Sequence, residues 1–232
     1  MLCAINFAIA HLPARNKAML GFTGLMMTDD HPVKSESDTV GPPARLGRIE
    51  ELDRRAMFFL YNRFRNPVFD FLLPLMSLIC NKGKLHIGGG TLLIICGHYA
   101  RRPDLQCAGV VLMASAGAAG LIAELPIKYF WRRRRPFMVM DGVSPKVPIK
   151  RLLRRPSFPS GHASGYFAGA VALAICYPAW TPLFLVVAAL GSFSRIYNGV
   201  HFPSDVLAGS LIGAAFGAAV TLLLLPVLAG VF

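Results

Sequence analysis

Six apolar segments follow residue 66 and leave few folds open to this chain. They cover about residues 67–81, 85–100, 105–127, 161–179, 181–199 and 204–228. Hydrophobic residues make up 54% of the 232 residues and charged residues only 16%, which is too little polar surface to cover a soluble domain. The pattern therefore predicts an all-α polytopic membrane protein built on a bundle of six transmembrane helices.

Small residues predict where two of these helices are approached closely. Several segments are shorter than the roughly 20 residues that a perpendicular crossing needs, so their ends must use flanking residues or lie deep in the bundle. Glycines recur at four-residue intervals in the fourth segment (Gly161, Gly165, Gly169) and in the sixth (Gly209, Gly213, Gly217). Each stripe is typical of a flat helix face against which another backbone can pack.

The first 66 residues divide into two regions. Residues 1–45 are mixed and polar and are predicted to be a disordered tail. Residues 46–66 alternate apolar and charged side chains at helical spacing, which is typical of an amphipathic helix at a membrane interface. A plain cytoplasmic helix is the alternative. The membrane domain is then residues 67–232.

The charge of the chain indicates its partner. The formal net charge is +12, but the basic residues stand beside apolar segments and no nucleic-acid-binding module surrounds them. Anionic lipid head groups in the bilayer are the expected partner, and nucleic acid is not. The five cysteines show neither paired nor metal-type spacing. We therefore expect no disulfide and no zinc site. We also expect no cofactor and no divalent metal, because cations and a helix start, not a carboxylate cluster with ligand spacing, supply the charge of the site.

Three polar motifs stand at the ends of apolar segments. The first is Lys128 followed by Arg135-Pro136, the second is Pro159-Ser160-Gly161-His162, and the third sets Arg195, His201 and Asp205 within eleven residues. A phosphate ester needs fixed cations and backbone donors where negative charge spreads in the transition state. The three motifs contain both kinds of group.

Two of these motifs also predict helix starts. Ser160 suits an N-cap, and the backbone amides of the turn that follows can hold an anion. Pro203 is favoured in a first turn, so the last helix is predicted to begin near residue 202 or 203. Asp205 then lies within reach of the His201 ring, where a carboxylate fixes the tautomer and leaves the other nitrogen free to attack.

In order and spacing, the three motifs resemble the signature of the type 2 phosphatidic acid phosphatase superfamily, which also contains the vanadium haloperoxidases. The resemblance is close over residues 128–205 and rests on pattern alone elsewhere. It implies a metal-independent lipid phosphatase in which His201 forms a phosphohistidine, His162 protonates the leaving oxygen and then activates water, and Asp205 orients His201. The phosphate would be held by Lys128, Arg135, Ser160, Gly161 and Arg195.

The resemblance leaves the substrate open. We favour undecaprenyl diphosphate, because the compact core and the residues from 197 to 205 look like the bacterial enzymes that hydrolyse it. Lipid A phosphatase, phosphatidylglycerophosphatase and phosphatidate phosphatase are the alternatives. A haloperoxidase is less consistent with an apolar chain, since that fold is soluble. A lipid-binding or transport protein that keeps the pocket is the non-enzymatic alternative, and the histidine pair argues against it.

Residues around the motifs are expected to have supporting roles. Glu124, one helical turn before Lys128, is expected to orient that lysine or to balance its charge. Arg132, Arg133 and Arg134 are read as a basic cluster that contacts lipid phosphates. His86, which belongs to no motif, is predicted to lie at the surface or the membrane interface.

Alternation of the spans predicts the topology. With the amino terminus inside, residues 128–159 and 195–205 share the outer face, and residues 101–102 and 177–181 lie inside. The outer loop carries ten Lys and Arg and the first 66 residues carry nine, so the positive-inside rule is only half obeyed. Binding of anionic head groups would explain the basic outer loop. The expected location is the bacterial cytoplasmic membrane with the site on its outer face.

Overall fold

The computed structural model describes residues 47–79, 83–124, 131–149, 152–153 and 155–231. The predicted tail at residues 1–45 and the predicted phosphate ligand Lys128 lie outside these ranges. Within them the chain is helical and contains no strand. The helices are α1 (Arg48–Arg63), α2 (Pro67–Ile79), α3 (Lys84–Ala100), α4 (Pro103–Ile122), α5 (Pro136–Val139), α6 (Gly161–Cys176), α7 (Thr181–Tyr197) and α8 (Pro203–Leu228), and a 3₁₀ turn at Pro178–Trp180 precedes α7.

Two helix starts lie where the sequence predicts them. Helix α8 begins at Pro203, with Phe202 as the residue before its first turn. Helix α6 begins after Ser160, whose hydroxyl oxygen accepts a hydrogen bond from the Ala163 N–H at 3.4 Å. Both predictions are confirmed because a proline at the first turn and a serine cap act locally, whatever the rest of the chain does.

The core of the bundle is formed by α4, α6 and α8. Helix α8 packs against α6 and α4, while α3 packs on α4 and α2 packs on α7. A methyl group on Gly209, Gly213 or Gly217 would overlap a backbone carbonyl of α6. The α8 stripe is therefore a close helix contact, as predicted. The stripe on α6 instead faces the side chains of His86 of α3, Leu112 of α4 and Glu124, which follows α4.

The chain is a membrane protein. Three helical stretches are long and apolar enough to cross a bilayer by length and composition, namely Pro103–Ile122, Pro178–Tyr197 and Pro203–Leu228. Pro67–Ile79 and Gly161–Cys176 are shorter apolar helices. Each of the six predicted segments contains a described helix, but the count of six crossings stays a prediction.

Helix α2 is the segment least consistent with a full crossing. Its 13 residues span about 20 Å, against a hydrocarbon core of roughly 30 Å. Asp70 accepts a hydrogen bond from the Tyr197 hydroxyl at 2.5 Å, and Ser77 near its other end contacts the Arg195 side chain. Both partners belong to the last turn of α7, so α2 lies alongside one end of the bundle.

Helix α1 contacts the basic loop. The Tyr61 hydroxyl donates to the Ser144 carbonyl oxygen at 2.9 Å, and Arg54 donates to the Val139 carbonyl oxygen at 3.3 Å. The predicted alternation placed α1 and this loop on opposite faces, which is wrong because the two touch directly. The other half of that prediction is consistent with the fold, since Tyr177 and Asp104 meet at 3.3 Å at the far end of the bundle.

Candidate active site

The His201 ring lies buried between a guanidinium and a carboxylate. Arg135 Nη1 is 3.1 Å from His201 Nε2, and Asp205 Oδ2 is 3.7 Å from His201 Nδ1. Because arginine can only donate, the Nε2 that faces it is assigned as the acceptor, and the ring proton is then on Nδ1. This tautomer directs the Nε2 lone pair toward the cation and the N–H toward the carboxylate.

Arg135 is held by the backbone around it. Its guanidinium donates to the carbonyl oxygens of Arg155, Pro156 and Val200 at 2.8–3.1 Å. Burial lowers the pKa of Arg135 to about 10, so the group still carries its charge at neutral pH. The result is a buried cation that is held mainly by backbone carbonyl groups.

Asp205 is fixed from three directions. Its Oδ2 accepts from the Phe202 N–H at 2.8 Å and from the Ser157 hydroxyl, and its Oδ1 accepts from Arg133 Nη1 at 2.8 Å. The carboxylate is completely buried, so these donors replace the water that it loses. It can therefore hold the His201 ring in one orientation.

The start of α6 lies beside the start of α8. The Ser160 N–H donates to the Asp205 carbonyl oxygen at 3.0 Å, which joins the second motif to the third. His162, in the first turn of α6, is half-buried and lines a cavity of about 480 Å³ between α3, α4 and α6. The walls of this cavity are otherwise mainly apolar, as a site for the first part of a lipid chain would be.

Glu124 borders the same cavity. Its carboxylate accepts from Arg155 Nη1 at 3.0 Å and lies against Gly161, where a methyl group would overlap it. A glycine at that position therefore lets the carboxylate approach the first turn of α6. The predicted partner Lys128 lies outside the described residues, so that pairing stays a prediction.

Arg195 contacts both the third motif and α2. Its carbonyl oxygen accepts from the His201 N–H at 3.3 Å, while its guanidinium contacts Ser77 of α2. The structure thus brings Arg135, His201 and Asp205 into one cluster, with Ser160, Gly161 and His162 on the neighbouring helix. The Arg195 side chain is directed toward α2.

The chain that carries this site is similar to known proteins. The profile of the PAP2 superfamily matches residues 108–226, about half of the chain, and this range includes all three motifs. The chain belongs to the PAP2 superfamily. The PAP2 resemblance of the three motifs is therefore confirmed at the level of the family.

Two curated PAP2 relatives are informative. The chain is 37% identical over 107 residues to an undecaprenyl-diphosphatase of Sulfolobus acidocaldarius, covering 46% of this chain and 50% of that protein. It is 39% identical over 176 residues to a lipid A 4'-phosphatase of Bacteroides thetaiotaomicron, covering 73% and 75%. The match thus spans only half the length of the Sulfolobus protein and three quarters of the Bacteroides protein.

A solved PAP2 structure has a similar fold. The crystal structure of Aquifex aeolicus LpxE superposes with a TM-score of 0.54 at 25% sequence identity, covering 71% of this chain and 92% of that one. The helical arrangement described above is therefore one that this superfamily uses.

Sequence reasoning missed or misplaced three residues around the PAP2 site. Ser157, which donates to Asp205, belongs to no predicted motif, and no sequence pattern points to its role. The sequence predicts that Arg133 contacts lipid phosphates, which is wrong because its guanidinium pairs with Asp205 and with Asp53 of α1. His86 is predicted to lie at the surface or the membrane interface, which is wrong because it is 9% exposed and packs inside the bundle against Gly169, where the missing side chain leaves room for the ring.

Proposed function

We propose that the protein is a phosphatase that removes phosphate from a membrane lipid. The observation that carries the proposal is the His201 ring held between Arg135 on Nε2 and Asp205 on Nδ1. A neutral imidazole with a fixed tautomer is a competent nucleophile once a phosphate oxygen replaces Nε2 as the acceptor of the Arg135 N–H, and the guanidinium matches phosphate oxygens in shape and charge. The PAP2 membership supports this reading.

The proposed reaction has two steps. His201 Nε2 attacks phosphorus, the bond to the leaving oxygen breaks, and His162 gives that oxygen a proton. Water then attacks the phosphohistidine, His162 takes a proton from the water, and inorganic phosphate leaves as the N–P bond breaks. Asp205 stabilises the positive charge that develops on His201. We assign phosphate binding to Lys128, Arg135, Ser160, Gly161 and Arg195.

Undecaprenyl diphosphate is the substrate that we favour. The name of the Sulfolobus relative supports it, and the mainly apolar cavity beside His162 suits a hydrocarbon chain. A lipid A phosphate is the second candidate, because the Bacteroides relative shares a larger part of the chain. We place the protein in the bacterial cytoplasmic membrane, with the site and the α1 helix that contacts its loop on the outer face, where the head groups of both lipids would be reached.

Phosphate release from a lipid panel tests the proposal. Purified protein in chelator would be given undecaprenyl diphosphate, lipid A, phosphatidylglycerophosphate and phosphatidate, with His201→Ala as the control. We expect wild-type release from at least one lipid, with undecaprenyl diphosphate fastest, and an acid-labile phosphoenzyme on His201. If phosphate were released from none of the lipids, the proposal would be wrong. Activity lost in chelator and restored by magnesium would contradict the metal-independent mechanism.

A further inference from the structure

An acidic residue interrupts the buried face of α1. This helix turns Asp53, Met57 and Tyr61 inward at intervals of one turn. Met57 and Tyr61 are apolar or mainly apolar and belong to the core, but Asp53 is a carboxylate that is only 7% exposed. Burying a carboxylate is costly unless it is paired and hydrogen-bonded. The contacts of Asp53 therefore indicate what this residue does.

Asp53 binds the start of α8. Its Oδ1 accepts from the Ser204 N–H at 2.9 Å, and its Oδ2 accepts from the Ser204 hydroxyl at 2.5 Å. A carboxylate is favoured at this position because the first turn of a helix presents unpaired N–H groups and a partial positive charge. Asp53 thus caps α8 from a different helix, next to Asp205.

Arg133 connects the two carboxylates. Its Nη2 donates to Asp53 Oδ2 at 2.5 Å, and its Nη1 donates to Asp205 Oδ1 at 2.8 Å. The guanidinium carbon lies 4.0 Å from the centre of the Phe202 ring, which fixes the plane of the group. One guanidinium is therefore shared between a carboxylate of α1 and the carboxylate that faces His201.

We propose that Asp53 is a positioning residue for the catalytic pair, which holds Arg133 and the start of α8 so that Asp205 stays directed at His201. The inference rests on the proposed function. With Asp53 in place, one cation is shared by two carboxylates, and negative charge remains for His201. Without Asp53, Arg133 would pair with Asp205 alone and neutralise the charge that stabilises the phosphohistidine.

The pH dependence separates this role from a purely structural one. The charged and titratable groups described around His201 are Asp53 of α1, Glu124 after α4, Arg133, Arg135 and Arg155 of the loop, His162 of α6, Arg195 of α7 and Asp205 of α8. Asp53→Asn removes the negative charge that partly neutralises Arg133, so the extra positive charge near His201 lowers the pKa of its ring. The acid limb of the pH profile of kcat/KM then moves to lower pH. Arg133→Gln leaves two carboxylates and moves that limb to higher pH.

The experiment uses the full chain and the lipid that the wild type hydrolyses best. We expect Asp53→Asn to lower kcat by about 10- to 100-fold, as small misplacements of catalytic groups do, with a much smaller change in KM. Its acid limb should shift down by roughly 0.5 to 1 pH unit. Asp53→Glu, which keeps the charge, should recover part of kcat. Glu51→Gln is the matched control, because Glu51 pairs with Arg55 on the exposed side of α1 and should change neither parameter.

Two outcomes would overturn the inference. One is folded Asp53→Asn protein with wild-type kcat and an unmoved acid limb. The other is an Arg133→Gln acid limb that stays in place or moves down, and this second variant decides the matter if Asp53→Asn does not fold. If the wild type releases phosphate, either result rejects only the role proposed for Asp53. A wild type that is inactive on every lipid rejects the proposed function instead.

Discussion

The backbone N–H of Ser160 donates to the backbone carbonyl oxygen of Asp205 at 3.0 Å. This bond joins the first residues of α6 and α8, which are far apart in the sequence. His162 follows Ser160 by two residues and His201 precedes Asp205 by four, so one backbone contact places both histidines at the same end of the bundle. The contact is possible because the α8 glycines let the two backbones come close.

Gly213→Ala should lower both the stability of the protein and its rate of phosphate release. The added methyl group would overlap the Ser164 carbonyl oxygen of α6, and overpacking of this kind costs about 1–3 kcal/mol. Thermal unfolding in detergent and phosphate release would be measured. Gly88→Ala on α3 is the control, because nothing lies within 4 Å of its methyl position. Equal stability of the two variants would show that the close contact is not needed.

Arg135→Lys should lower kcat/KM by about 10²-fold or more. Lysine keeps the charge but loses the planar fork that donates to three backbone carbonyls and matches phosphate oxygens. Arg134→Lys is the neighbouring control, since Arg134 is exposed, and it should be nearly neutral. If Arg135→Lys kept more than half of the wild-type kcat/KM, positive charge alone would suffice at this position.

Substitutions of the two histidines should differ in how the loss of activity depends on the leaving group of the substrate. His201→Ala should abolish turnover of every substrate, because the covalent step needs it. His162→Ala should damage hydrolysis of an alkyl phosphate more than that of an aryl phosphate, since general acid catalysis contributes roughly 10²- to 10⁴-fold and most for poor leaving groups. Single-turnover rates on both substrates measure the difference. Substantial aryl phosphatase activity in His201→Ala, with none in His162→Ala, would reverse the roles.

Cysteine labelling should place α1 and the basic loop on one side of the membrane. Single cysteines at Phe59, Asp141 and Arg101, in a background without the five native cysteines, would be treated with an impermeant thiol reagent. We expect positions 59 and 141 to react from the same side, because α1 contacts the loop through Tyr61 and Ser144. Position 101 should react from the other side. Labelling of 59 and 141 from opposite sides would contradict the packing.

Local features of the site could be predicted from the sequence. The Ser160 cap, the start of α8 at Pro203 and the pairing of His201 with Asp205 all depend on residues within a few positions of one another. Such features are set by backbone geometry and short-range hydrogen bonds, so a stretch of residues is enough to reveal them. The apolar segments likewise predicted the helices, since each must bury its side chains in protein or lipid.

Other features of the site could not be predicted in this way. Asp53, Arg133 and Ser157 converge on the Asp205 region from separate parts of the chain, and Arg133 carried the same basic signal as its exposed neighbours. The alternation rule failed for α1, because it assigns faces from the order of apolar segments alone and carries no information on which segments touch. The burial of His86 depends on space left by a glycine on another helix.

The sequence by itself therefore determined the fold class and the candidate chemistry of this protein: an all-α chain in a membrane, with basic and histidine motifs at helix ends that we propose bind and cleave a phosphate ester. The tertiary structure decided which groups support that chemistry. It put α1 beside the loop, shared Arg133 between Asp53 and Asp205, and directed the Arg195 side chain to α2. The physical reason is that buried polar side chains must find partners wherever packing brings donors and acceptors together. Those partners come from distant segments that no local pattern connects.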